Sequence, residues 1–204
     1  TGKACIDPSE ASGTFAMDCE KDAWSDELIA LLGIDKEKLP EIKKAYEVIG
    51  TVSEKAAKET GLSTKTAVIT GGGDMLSMLY VSGMHKLGSV VDITGTGATI
   101  QAYTRKPVLD KRIMNLRHVL DGWVPFGNID SAGGAFRWLR DNLGKKETET
   151  AHAKGMDEYA YLCELAEQVA PGAEGLYFLP YLMGERTMGS ADSRGCYIGL
   201  SLDK

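Results

Sequence analysis

The chain has 204 residues, 43% hydrophobic and 25% charged, with a formal net charge of −6. This suits one large globular domain or parts of two, and the acidic balance sets nucleic acid aside, because phosphate-backbone binders gather Lys and Arg on one face. No apolar run approaches the roughly 20 residues that span a bilayer and no basic-then-apolar leader opens the chain, so no membrane partner and a cytoplasmic location are expected.

Residues 1–18 mix Ser, Pro, Gly and Asp and predict loop and turn, with little regular structure before Thr14. Ser25 then reads as a helix N-cap. Asp26 and Glu27 suit the positive helix end, Leu28, Ile29, Leu31 and Leu32 supply an apolar face, and Gly33 stops the helix. Trp24, just ahead of the cap, is placed to staple that helix to its neighbour. A second helix is expected over Pro40–Val48, and a third from the Ser53 cap to about Glu59, closed by Gly61. These three are scaffold.

Residues 66–74, TAVITGGGD, form a β-branched apolar run that ends in glycines and one carboxylate, and a helix carrying Leu76, Leu79, Tyr80 and Met84 follows. Gly83 and Gly88 flank His85 and Lys86 where the pattern switches from helix to strand. A hinge between about 84 and 88, and a divide between residues 1–86 and 87–204, are expected there. From Ser89 the chain alternates, breaks at Gly95-Thr96-Gly97 and alternates again to Pro107, which predicts a hairpin with TGTG at its tip. Asp121-Gly122 predicts the two-residue turn of another hairpin. Ser131–Gly134 opens a helix carrying Phe136, Leu139 and Leu143 and ended by Gly144, and a further helix covers about Met156–Val169. GLYFLPYL, residues 175–182, reads as a buried strand, followed by the polar loop MGERTMGSADSRG and a last short strand CYIGL. The order of elements predicts α/β with mixed sheets.

The four cysteines, Cys5, Cys19, Cys163 and Cys196, show no CxxC spacing and no His at ligand intervals. Reduced, mostly packing thiols and no protein-built metal site are expected. Each glycine turn has an ordinary account and a chemical one. GGGD can be a plain strand-to-helix turn with Asp74 as the cap, or it can present Asp74 as a general base for attack on a phosphate. No GK[ST] follows, so it is not a Walker loop. TGTG can be a simple hairpin turn, or a phosphate cradle of backbone N–H groups and the Thr96 hydroxyl. SAGG can be close packing of small residues, or an anion site at a helix start. Three such turns in one chain point to a nucleotide. A dinucleotide or adenosylmethionine loop is set aside, because Ile100 stands three residues after Gly97 and ATIQAYT alternates instead of opening a helix.

In their order, DPSEASGTFAMD with Trp24 following, GLSTKTAVITGGGD, DITGTGA, SAGGAFRWLRDNLG, and LYFLPYLMGERT leading to RGCYIGLS carry a resemblance across essentially all 204 residues. The chain resembles the FGGY family of carbohydrate kinases, the xylulokinase branch most closely. The resemblance implies a ribonuclease-H-like, actin-like ATPase architecture with nucleotide and sugar in a cleft between helix-flanked sheets. It implies ATP-dependent transfer of the γ-phosphate to a hydroxyl of a pentulose or related polyol, with Mg²⁺ bridging phosphates. Asp74 falls on the family's catalytic base and, with Met75, on the sugar side. Gly95, Thr96 and Gly97 fall on the hairpin that holds the nucleotide phosphates, Gly133 where backbone lies against the nucleotide, and Arg137 beside it.

Two departures stand out. Met75 occupies a position where sugar-reading relatives often carry Asn or Gln, and Met188 follows GERT where the family usually has Pro. The family's N-terminal DxGT-type hairpin and its C-terminal glycine-rich adenosine motif are not in this sequence. The expectation is therefore an architecture incomplete at both ends: residues 1–86 from the end of the first kinase domain, residues 87–204 from the start of the nucleotide-binding second, and no turnover by these residues alone. The implied partners are a sugar and ATP, with room for a homodimer. A glycerol, gluconate or ribulose kinase and a noncatalytic sugar- or nucleotide-binding regulator are the alternatives.

Overall fold

The computed structural model describes residues 1–185, 187 and 191–202. The chain is α/β with mixed sheets, as predicted, and forms two compact units: Thr1–Val91 with Gln101–Phe126, and Asp92–Ile100 with Gly127–Lys204.

In the first unit, β1 (Cys5–Ile6) leads into α1 (Pro8–Gly13). Here the loop expected before Thr14 gives way to a helix. Asp7 is its N-cap and accepts from the amides of Ser9 and Glu10, and Pro8 fits the first turn because its missing N–H would have no helical partner. β2 (Met17–Asp18) pairs antiparallel with β3 (Ala23–Trp24). α2 (Asp26–Leu32) starts at Ser25 and stops at Gly33 in the left-handed conformation, as read from sequence.

No helix forms over residues 40–48. β4 (Glu41–Ile42) runs parallel to β1, and β5 (Val48–Thr51) starts where the helix was to end. A non-local partner outweighs the local pattern: the Lys43 amide donates to the Ile6 carbonyl (2.9 Å), and Trp24 Nε1 donates to the Pro40 carbonyl (2.7 Å). Trp24 thus fixes the entry to a strand. α3 (Glu54–Thr60) keeps its Ser53 and Gly61 ends. β6 (Ala67–Ile69) pairs antiparallel with β5, and α4 (Asp74–Val81) follows. Leu76, Leu79 and Met84 are buried, and Ala11, Met17, Ile29, Ile49 and Val124 also belong to this unit's core.

β7 (Val90–Thr94), β8 (Ala98–Ala102), β9 (Met114–Arg117) and β10 (Trp123–Ile129) form a sheet in the order β7-β8-β10-β9, and β7, β8 and β10 contribute residues to both units. The predicted hairpin is present, with Tyr103 N–H on the Ser89 carbonyl (2.9 Å) at its base and Gly95 N–H on the Gly97 carbonyl (2.7 Å) at its tip. The second hairpin pairs Arg117 with Trp123, so residues 118–122 form a loop longer than the two-residue turn expected. Gly122 does take the positive φ, +99°. The longer loop buries His118, which is 1% exposed, stacks on Tyr103 (4.2 Å between centroids) and accepts the Leu120 amide at Nδ1 (3.0 Å).

In the second unit, α5 (Gly133–Asn142) and α7 (Glu158–Glu167) match prediction, while α6 (Lys145–Ala153) was not foreseen. β11 (Tyr177–Leu179) is shorter and less buried than expected, since Pro180 follows and Tyr177 is 57% exposed, and it pairs antiparallel with β12 (Cys196–Ile198). Phe178 stacks on both Trp138 and Tyr197. Arg186, Met188, Gly189 and Ser190 of the polar loop lie outside the described residues. The cysteines are free thiols, but Cys163 and Cys196 are exposed, not packed, because each sits on the solvent side of its element. Among the described residues no helix is long and apolar enough to cross a membrane.

Candidate active site

The turn between β6 and α4 is shaped by close backbone approach. Gly71 has φ +83°, which favours glycine. A Cβ on Gly72 would stand 2.6 Å from Val119 Cγ1, and one on Gly73 would collide with the Glu10 carboxylate. The Gly73 amide donates to Ser9 Oγ (2.9 Å), a buried bond spanning 64 positions of sequence. So α1 seats the glycine turn, and the turn fixes where α4 begins. Gly73 is the N-cap of α4 without a side-chain cap bond. Asp74 is therefore not the cap but the first helical residue. Its carboxylate is exposed, Oδ1 accepts the Met75 amide (2.6 Å), and Oδ2 takes no partner among the described residues. A carboxylate held at a helix N-terminus with one oxygen facing solvent is able to accept a proton from a hydroxyl presented to it. Met75 is half-buried beside it. An apolar cavity of about 240 Å³ lies behind the turn, lined by Ala45, Tyr46, Ile69, Gly72, Tyr80 and Val119 among others.

The second unit brings the TGTG tip and the SAGG turn together. The Gly95 carbonyl accepts from Gly133 N–H (3.0 Å), and the Thr96 carbonyl accepts from Ala132 N–H (2.8 Å) and Gly134 N–H (2.9 Å). Glycine is required on both sides of this joint. A Cβ on Gly133 would collide with the Gly95 carbonyl oxygen, and one on Gly97 would stand 2.7 Å from the Ile129 carbonyl oxygen.

Of the two readings of SAGG, this docking favours close packing of small residues over an anion site at the helix start. The first amides of α5 are already bonded to the hairpin, so an anion has no free donor on Gly133 or Gly134. The donors move to the tip instead. In a trans peptide the N–H points opposite to the C=O of the same unit. Because the Gly95 and Thr96 carbonyls face α5, the Thr96 and Gly97 N–H groups face away from it, and neither has an acceptor among the described residues. Beside them is a cavity of about 500 Å³ lined by Thr96, Gly97, Asn128, Ile129, Asp130 and Met183. Two outward amides and a hydroxyl at a tight turn are donors that could hold an anion.

Arg137 stands one turn along α5 from Gly133, exposed, with its charge near Asp141. The Arg140 guanidinium is the main cause that lowers the Asp141 carboxyl, with Arg137 a smaller one. Sequence reading missed Ser9 and Glu10, which seat the GGGD turn, and Asn128 and Asp130, which line the tip's cavity. Their signals are non-local and have no spacing to read.

Two family models match consecutive parts of the chain: "FGGY family of carbohydrate kinases, N-terminal domain" over residues 1–80, and the C-terminal domain of the same family over residues 90–204. The gluconokinase of Bacillus subtilis is 33% identical over 201 residues, covering 97% of this chain and 39% of that protein. The xylulose kinase of Lactococcus lactis is 30% identical over 204 residues, covering 98% and 39%. The crystal structure of xylulose kinase from Rhodospirillum rubrum matches with a TM-score of 0.83 at 30% identity, over 100% of this chain and 40% of that one. The chain thus spans about 40% of the length of these relatives.

Proposed function

The chain belongs to the FGGY family of carbohydrate kinases, and from that premise we propose that it carries the transfer machinery of an ATP-dependent sugar kinase acting on a pentulose such as xylulose. Its α/β architecture is that of the actin-like ATPase fold of these kinases. The observation that carries the proposal is the docked tip, whose Thr96 and Gly97 amides point away from α5 and have no acceptor among the described residues.

In this reading Thr96 N–H, Gly97 N–H and the Thr96 hydroxyl hold phosphate oxygens, and Gly133 lets the tip seat closely enough to aim them. Arg137 adds positive charge near the nucleotide. Asp74 accepts the proton of the sugar hydroxyl as that oxygen attacks, and Met75 gives the sugar an apolar neighbour. When bound, ATP supplies the γ-phosphoryl group and Mg²⁺ neutralises the charge that builds on it. Residues 1–86 are then the sugar-side part and 87–204 the nucleotide-side part of a cytoplasmic enzyme that works on small molecules and is open to homodimer formation.

The test is ADP release by the complete open reading frame, assayed against xylulose, gluconate, glycerol and ribulose. Gluconate is the second candidate because of the identity to gluconokinase. Asp74→Asn is expected to lower turnover by ~10²–10⁴-fold while nucleotide affinity stays within about twofold. Near-normal turnover in that variant would remove Asp74 from the chemistry. ADP binding without turnover on any acceptor would make the protein a noncatalytic nucleotide binder.

A further inference from the structure

We propose that Thr187 is a positioning residue for the Gly95–Gly97 tip, an inference that rests on the reading of that tip as a phosphate site. A chain of polar groups that starts at a buried carboxylate reaches the tip's seat from the loop after β11. Glu185 is 2% exposed, and its Oε1 accepts both from Thr187 N–H (3.0 Å) and from the Thr187 hydroxyl (2.6 Å). The same hydroxyl stands 3.0 Å from the carbonyl oxygen of Asn128 on β10. A hydroxyl has one proton to give, so Thr187 shares it between the buried carboxylate and the strand backbone and ties the two together.

Asn128 begins the stretch on which the tip rests. The carbonyl oxygens of Ile129 and Asp130 lie 2.7 and 3.3 Å from where a Cβ on Gly97 would stand. Asn128, Ile129 and Asp130 share the wall of one cavity with Thr96 and Gly97, and Asn128 Nδ2 donates to Asp130 Oδ1 (3.1 Å). A change in the backbone at Asn128 therefore moves the surface that meets Gly97, and with it the direction of the outward amides. A carboxylate this buried is costly unless its oxygens find donors. The donor that Thr187 provides leads directly to the tip's seat, which is why the hydroxyl, and not the shape of the side chain, is the group that acts.

Thr187→Val keeps the shape and removes the hydroxyl, and Thr187→Ser restores it. Two readouts separate this inference from the reading beneath it. Amide exchange of Ala132, Gly133 and Gly134, whose N–H groups bond to the tip, reports docking without any ligand. With valine these three are expected to exchange roughly fivefold faster relative to the amides of α7, and with serine to return to the wild-type ratio. ADP titration of the complete open reading frame is expected to show roughly fivefold weaker binding with valine and near-wild-type binding with serine. Unchanged exchange with valine, or a serine variant as loose as valine, overturns the positioning role. If wild type binds no ADP while valine still loosens the three amides, the phosphate reading fails and the positioning role stands.

Discussion

Replacing Gly133 with alanine tests the joint on which the proposed anion site depends. The added methyl collides with the Gly95 carbonyl oxygen, so the tip must lift from α5. Three bonds are then at risk: Gly133 N–H to Gly95, and Ala132 and Gly134 N–H to Thr96. At roughly 1 kcal/mol net each, their loss is worth about 3 kcal/mol, against up to ~1 kcal/mol gained from the better helix propensity of alanine. The expected net destabilisation is about 2 kcal/mol, or a fall in melting temperature of roughly 4–8 °C for a chain of this size. Gly134→Ala is the matched control. Its Cβ would stand 3.1 Å from Thr96 Cγ2 and from the Thr96 carbonyl oxygen, a crowding that small shifts relieve, so that variant is expected to stay within about 0.5 kcal/mol of wild type. Thermal or urea unfolding of the two variants side by side gives the answer. If Gly133→Ala proves as stable as Gly134→Ala, the tip does not depend on that contact and the account of the joint is wrong.

Ser9→Ala leaves the buried Gly73 amide without its acceptor, and urea unfolding should register a loss of roughly 1–3 kcal/mol; a loss under a few tenths would mean that α1 does not hold the turn. His118 predicts a pH dependence, since burial pushes its pKa below the ordinary 6.5, opposed only in part by the Met84 backbone. The folded ring then binds protons less readily than the unfolded one, so this contribution is intact above pH 6.5 and is lost as the pH falls below that value, until the folded ring protonates too. Urea midpoints measured on both sides of that pH should fall on the acid side for wild type and flatten in His118→Phe, and an equal slope in both proteins would assign the dependence to other groups.

What could be read from the sequence follows the range of the forces involved. α2 and α3 were legible because Ser25, Gly33, Ser53 and Gly61 do their work within one helical turn. The hairpin over β7 and β8 was legible because both strands alternate around adjacent glycines. Residues 40–48 misled because Pro40 at their start and Gly50 after them punctuate the stretch like a helix, while the bond that decides, Lys43 to Ile6, comes from a distant part of the sequence. α1 was hidden by its composition: Ser and Gly suggested loop, although Asp7-Pro8 with Glu10 is also a helix start. α6 has almost no apolar face, with Ala151 its one fully buried residue, so periodicity had nothing to report. At the candidate site, the glycines and Asp74 announced themselves, but what each glycine makes room for did not. Ser9 and Glu10 against Gly73, and Ile129 against Gly97, are visible only once the chain has folded.

The bonds between the tip and α5 also link the proposed anion site to the start of that helix. An anion drawn to the Thr96 and Gly97 N–H groups polarises those two peptide units, and each becomes a stronger acceptor at its opposite end. Those ends are the carbonyls already bonded to Ala132, Gly133 and Gly134. On the proposed reading of the tip, occupancy would therefore strengthen the bonds that hold the first turn of α5, so that the arrival of a charge would be felt at the start of the helix.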